Sequence, residues 1–146
     1  MMERRFDLTA WAVLCARVIL GLIFGMAGYW KTFVLTPAGH YHRYFEPYVG
    51  TWIPVWLLWA VGVAIPFVEF TFGWLLVVGL WIEPSLVALG IVLMTVTYGH
   101  LLKEPLYSFT GHVIPRFALL AFVALLADRD RYSIDSWLRA RRERSH

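Results

Sequence analysis

The stretch Trp52–Ile82, WIPVWLLWAVGVAIPFVEFTFGWLLVVGLWI, holds one ionisable residue, Glu69. A helix of about 20 mostly apolar residues crosses the roughly 30 Å hydrocarbon core of a bilayer, and this run is longer than that. Three more runs have the same character. Leu8–Trp30 carries only Arg17, Pro84–Leu102 carries no acidic residue, lysine or arginine, and Leu106–Ala127 carries only Arg116. The pattern predicts an all-α fold: an integral membrane four-helix bundle, one domain over residues 1–146. Its helices are expected over about 8–30, 54–81, 84–102 and 110–127, followed by a polar tail over 128–146.

Composition agrees with the order of residues. The chain is 60% apolar and 16% charged, with mean hydropathy +0.62. Soluble domains lie near 45–50% apolar and about 25% charged, so a soluble globular domain is excluded. Disorder is excluded too, because it needs low hydrophobicity and high charge. A single cysteine, Cys15, allows no internal disulfide and no dithiol chemistry within the chain. The first apolar run is longer than the ~7–15-residue apolar stretch of a signal peptide and is followed by no small-x-small cleavage site. It is read as a retained helix.

Basic residues set the expected orientation. Of thirteen, eight lie before helix 1 or after helix 4: Arg4, Arg5, Arg129, Arg131, Arg139, Arg141, Arg142 and Arg144. The first and third loops hold three, Lys31, Arg43 and Lys103. The positive-inside rule then places both termini in the cytoplasm, and a cell inner membrane is the expected location. The lipid bilayer is the expected partner of the arginines, with anionic headgroups second and no nucleic acid.

Within the spans, Gly21 and Gly25 form a GxxxG followed by Gly28, a spacing that lets another helix approach closely. The face serves either internal packing or a homo-oligomer. The first loop, about Lys31–Thr51, is extracytoplasmic on this topology, long and aromatic-rich, with Pro37–Tyr48 expected as an interfacial helix or a cap over the bundle. Trp52, Trp56 and Trp59 mark one end of helix 2 and Trp81 the other. Pro66 is expected to kink it, and a tight turn at Glu83–Pro84 is expected before helix 3.

The charges inside the spans are the first candidates for chemistry. An ionisable group at membrane depth faces the bundle interior and finds a partner. Counting from the helix ends, Arg17 lies roughly 13 Å in and Glu69 roughly 20 Å, so an Arg17–Glu69 pair is expected, either fixing helix register or handling a proton or a ligand. A second group gathers at the outer end by topology: His40, His42, Tyr98, His100, Lys103, His112 and Arg116. Imidazole exchanges protons near neutral pH, and an arginine can stabilise a developing oxyanion. The group suits a polar head such as a quinone carbonyl. The bland alternative is aromatic and histidine anchoring at the interface. A metal or a haem lacks diagnostic ligand spacing, and no flavin, haem, iron–sulfur or metal motif is seen.

The order Arg17-x3-Gly21-x6-Gly28-x2-Lys31, then Glu69-x3-Gly73, Gly79-Leu80, Ala88 and Met94, then Tyr132-Ser133-Ile134-Asp135, resembles the DoxX-like family over nearly the whole chain. The resemblance implies a small four-helix membrane protein related to the membrane subunit of thiosulfate:quinone oxidoreductase, with Arg17, Lys31 and Glu69 as its polar positions. It does not extend to His100, His112 and Arg116. The expected function is a quinone-binding redox subunit in which Glu69, His100 and His112 act catalytically. Arg17, Lys31, Tyr98 and Arg116 bind the ligand, and electrons arrive from a soluble or membrane oxidoreductase partner. The alternative is a non-catalytic membrane anchor or assembly partner that docks through Arg139–Arg144 or loop 1. A small transporter is a third reading, weakened by the lack of an inverted repeat.

Overall fold

The computed structural model describes residues 7–106 and 108–144, and every regular element among them is helical. Arg4 and Arg5, used for the orientation, lie outside the described residues. Helix α1 spans Leu8–Tyr29 and continues through a π-helical turn, Trp30–Val34. Then come α2, Pro37–Tyr44, a 3-10 turn at Glu46–Tyr48, and α3, Val55–Val78. The chain ends with α4, Ile82–Lys103, α5, Val113–Leu125, and α6, Ile134–Glu143.

Three helices are long and apolar enough to cross a membrane: Leu8–Val34, α3 and α4. Helix α5 is apolar but has 13 residues, about 20 Å of rise. The expected fourth span over 110–127 is therefore shorter than foreseen. Pro115 lacks an N–H and fits only the first helical turn, which sets the start at Val113. Large apolar side chains point outward from every long helix, among them Ile19, Leu22, Met26, Phe67, Val87, Ile91 and Met94. Helices apolar on both their buried and exposed faces suit a lipid surrounding. Exposed Trp52, Trp56 and Trp59 at one end of α3 and exposed Trp81 at the other are separated by roughly 30 Å of helix, as interfacial belts require.

The α1–α3 pair is the closest contact. A methyl group added at Gly73 would stand 2.3 Å from the Gly25 nitrogen, and one at Gly28 would stand 2.2 Å from the Phe70 nitrogen. Gly21 meets the Gly73 carbonyl and Val77 in the same way. The GxxxG face is thus filled by α3 of the same chain. Leu20, Phe24, Leu76, Leu86, Leu89 and Val123, from four helices, close the core around this pair.

The α3–α4 turn lies at Gly79–Trp81, earlier than the expected Glu83–Pro84. Gly79 takes the left-handed conformation (φ 75°) and donates to Leu76 O while Leu80 N donates to Leu75 O, a Schellman ending. Pro84 then falls within the first turn of α4, where its missing N–H costs nothing. At the other end, α2 is the foreseen short helix. Thr36 caps it, accepting from Gly39 N at 3.1 Å, and Tyr48 fastens the loop by donating to Gly99 O of α4 at 2.7 Å. Arg131 lies 3.6 Å from Asp7, so the start of α1 and the segment after α5 share one end of the bundle.

Gly73→Leu is expected to lower the midpoint of thermal unfolding in detergent, losing at least the ~1–3 kcal/mol typical of overpacking. Gly90→Ala, whose added methyl group meets nothing nearer than 3.8 Å, serves as the control and is expected to leave the midpoint within a degree or two.

Candidate functional site

The expected Arg17–Glu69 pair does not form. Depths counted from each helix's own end assumed flush ends, but α3 stops level with the middle of α1. Arg17, 1% exposed, therefore meets the C-terminus of α3. Its guanidinium donates to Leu76 O, to Val77 O at 2.8 Å and to Tyr132 O at 3.2 Å. The last carbonyls of a helix have no intrahelical partner and carry partial negative charge, so a cation there is favoured. Asp130 lies 2.7 Å from Arg17 Nε, a close ion contact rather than a directed hydrogen bond. Asp135 takes the matching role at the start of α4, accepting from Trp81 N at 3.1 Å and Ile82 N at 2.9 Å. Sequence reading did not single out Asp130 or assign Asp135 this role. Their signal is an acidic residue close after the last span, where orphaned helix ends converge.

Glu69 pairs with Lys31 instead, at 2.6 Å. The glycine packing explains the choice: Gly28 abuts Glu69 and Phe70, and one turn further the π-helical segment carries Lys31 across to the carboxylate. Glu69 is 4% exposed and the Lys31 side chain 20% exposed. Arg116 acts electrostatically on the same carboxylate, with its guanidinium 6.0 Å from the centre of the Phe24 ring. The three charges, from the π-helical extension of α1, from α3 and from α5, form one charged layer.

His40 roofs this layer. Pro66 has no N–H, so the Gly62 carbonyl loses its intrahelical donor. His40 Nδ1, 2.6 Å away, supplies one from α2. That bond makes Nδ1 the protonated nitrogen of the neutral ring. His40 is 3% exposed; burial holds its pKa below the ordinary 6.5, against the raising effect of the Gly62 bond, and Lys31 adds to the lowering. Tyr44 and Phe45 pack on its ring.

The other outer residues do not converge with it. His42 points outward to Glu46 at 3.0 Å, both more than half exposed. His100 Nδ1 bonds Val96 O of its own helix at 2.8 Å. His112 is exposed at the start of α5, where its carbonyl accepts from Arg116. Lys103 stands 5.9 Å from the centre of the Tyr48 ring. Among the described residues no three His, Cys, Asp or Glu side chains gather as a metal site requires.

Tyr98 belongs to a separate feature. An open apolar groove of about 680 Å³ runs between α4 and α5. Gly90, Met94, Thr97 and Tyr98 form part of one wall, and Val113 and Phe117 part of the other. Arg116 flanks that second wall, next to Phe117. Comparison with protein-family models, curated proteins and solved structures gives no match.

Two outcomes test this geometry. Glu69→Gln leaves the Lys31 ammonium without its counter-charge and is expected to cost about 3 kcal/mol, the lower end of the range for a broken buried pair because Lys31 is partly exposed. The double variant Lys31→Met/Glu69→Leu is expected to recover more than half of the loss in the same unfolding assay; a double variant as unstable as the single one argues against the pair. For His40, the folded protein resists protonation and the unfolded chain does not. Its stability contribution is therefore full above pH 6.5 and is lost as the pH falls below it. The melting midpoint of the wild type is expected to fall from pH 7 to pH 5 by more than that of His40→Gln, which can still donate to Gly62 O but does not titrate.

Proposed function

We propose that the chain is a quinone-binding membrane subunit of the DoxX type its sequence resembles, working with a partner oxidoreductase. The observation that carries this reading is the α4–α5 groove beside the Lys31–Glu69–Arg116 layer. The groove's volume of about 680 Å³ lies within the ~300–1,000 Å³ of ligand pockets, which are mostly apolar with a few placed polar groups. Its lining suits a ring and tail arriving from the lipid, with Thr97 and Tyr98 as the polar groups on its wall.

A quinone takes up two electrons and two protons on reduction. In this reading Tyr98 and Arg116 orient a ring carbonyl by donating hydrogen bonds. Glu69 exchanges a proton, with the Lys31 ammonium stabilising its carboxylate form, and His100 and His112, near the outer ends of α4 and α5, bring protons from the surface. Arg17 acts indirectly, by holding α1 in register with α3. The electrons come from the partner, since one cysteine supports no dithiol cycle. Eight basic residues near the chain ends against three in the intervening loops support cytoplasmic termini in a cell inner membrane.

A second reading, a non-catalytic anchor, draws support from the structural work of Arg17, Asp130 and Asp135 and from the exposed basic helix α6. One experiment separates the two. The purified chain is titrated with a short-tailed quinol analogue while tryptophan fluorescence is followed. A saturable change is expected, weakened about tenfold or more by Gly90→Phe, which fills the groove, with helicity unchanged. No saturable change, or one indifferent to Gly90→Phe, sinks the quinone reading. Recovery of a stoichiometric enzyme partner that stays active with Gly90→Phe and Glu69→Gln subunits then favours the anchor.

A further inference from the structure

Helix α6 does not trail away from the bundle. Asp135, in its first turn, accepts from Trp81 N at 3.1 Å and Ile82 N at 2.9 Å, and Asp135 N donates to Gly79 O at 3.0 Å. Arg142, about 10 Å further along the helix, still lines one cleft with Trp81, Pro84 and Ala127. The helix therefore runs across the end of the bundle, level with the α3–α4 turn. That level is a membrane interface by the tryptophan spacing of α3, and Trp81 stands exposed there. The connection from α5 is held at the same depth. Asp130 lies 2.7 Å from Arg17 Nε, and Tyr132 O accepts from the same guanidinium.

One side of α6 is apolar and unpartnered. Ile134, Trp137 and Leu138 share about 100° of its circumference and are all exposed. Arg141 falls within that arc and stacks on Trp137, 5.6 Å from the ring centre. Such an arginine lays its aliphatic stem on apolar surface while its charged head reaches the headgroups. Glu143 lies on the opposite side and Ala140 about a quarter turn away, both exposed. A helix of this kind lies in the plane of a membrane surface. The length of α5 points the same way. Its 13 residues rise about 20 Å, short of the roughly 30 Å hydrocarbon core. A bilayer thins beside a short span, and flanking side chains reach into the interface. Helix α6 follows α5 closely enough to supply them.

We infer that α6 lies in the plane of the lipid–water interface, its Ile134–Trp137–Leu138 arc inserted at the boundary of headgroups and acyl chains in the leaflet that Trp81 marks. None of these three residues lines the α4–α5 groove, and their lipid contact does not depend on a quinone there.

The test is electron paramagnetic resonance of the full chain in phosphatidylcholine vesicles, which carry no net charge. On a Cys15→Ala background, a spin label is attached through Ile134→Cys, Arg141→Cys, Ala140→Cys or Glu143→Cys, all of which keep Trp137. Unchanged melting checks that the bundle is intact. Collisions with oxygen, which dissolves in the bilayer, are compared with those of a nickel chelate, which stays in water. The oxygen-to-nickel ratio is expected to be about threefold or more higher at positions 134 and 141 than at 140 and 143. Adding Trp137→Glu to the Arg141→Cys chain is expected to bring its ratio within about twofold of that at position 143. Equal, nickel-dominated ratios at all four positions overturn the interface in favour of water. Labels at 134 and 141 that neither reagent reaches overturn the lipid in favour of a second copy of the chain. A contrast indifferent to Trp137→Glu overturns the apolar arc as its cause.

Discussion

Where α1 meets α3 there is no room for a methyl group at Gly21, Gly28 or Gly73. Gly25 and Gly73 meet backbone to backbone, and Gly21 and Gly28 extend the contact one turn either way. In lipid, burying apolar side chains drives little helix association, because the tails outside are as apolar as the core. Close backbone approach through small residues supplies dispersion contacts instead. It also fixes register to within one residue, since a slip would drive a side chain into the facing backbone. Register then settles the electrostatics. With Gly28 against Glu69, Lys31 lands on the carboxylate. With Gly21 against Val77, Arg17 lands at the open end of α3.

A second constraint follows from the solvent. Backbone polar groups left open by helix ends or prolines have no water to turn to inside a bilayer. Three polar side chains answer three such openings. His40 bonds the Gly62 carbonyl that Pro66 released, Arg17 takes the Leu76 and Val77 carbonyls, and Asp135 takes the Trp81 and Ile82 amides. Each comes from an element distant in sequence, so each bond also holds part of the tertiary structure. Removing one leaves a buried group unsatisfied, which costs more than the bond's net worth.

The spans were legible because hydropathy over some twenty residues is a sum and tolerates local detail. Three of the four expected spans, their order, the short α2 and the tryptophan belts follow from it. The partner of Glu69 was not legible. Reach was judged from helix ends, and the ends of α1 and α3 are offset by the glycine contact, which no single-helix pattern encodes. His40 was noticed only as one of several outer histidines. Its tie to Gly62 needs Pro66 and the fold of loop 1 together. The length of α5 was misjudged because the run carrying only Arg116 extends from Leu106 to Ala127, whereas Pro115 sets the helix start at Val113 and the helix ends at Leu125.

These assignments narrow where chemistry can reside. Arg17, Asp130, Asp135 and His40 are committed to backbone or to one another. Lys31 and Glu69 are not: they meet side chain to side chain, while Arg116, tied to the His112 carbonyl at 2.7 Å, acts on the carboxylate through space, so two cations serve one carboxylate. An excess positive charge in a low-dielectric layer is costly unless an anion or water shares it. A bundle needing only a register pin would do better with one matched pair. The surplus cation is Arg116, on the 13-residue α5, next in sequence to Phe117 of the α4–α5 groove. In the quinone-binding reading proposed above, a ligand carrying partial negative charge on oxygen would sit beside Arg116 at this groove and share its charge.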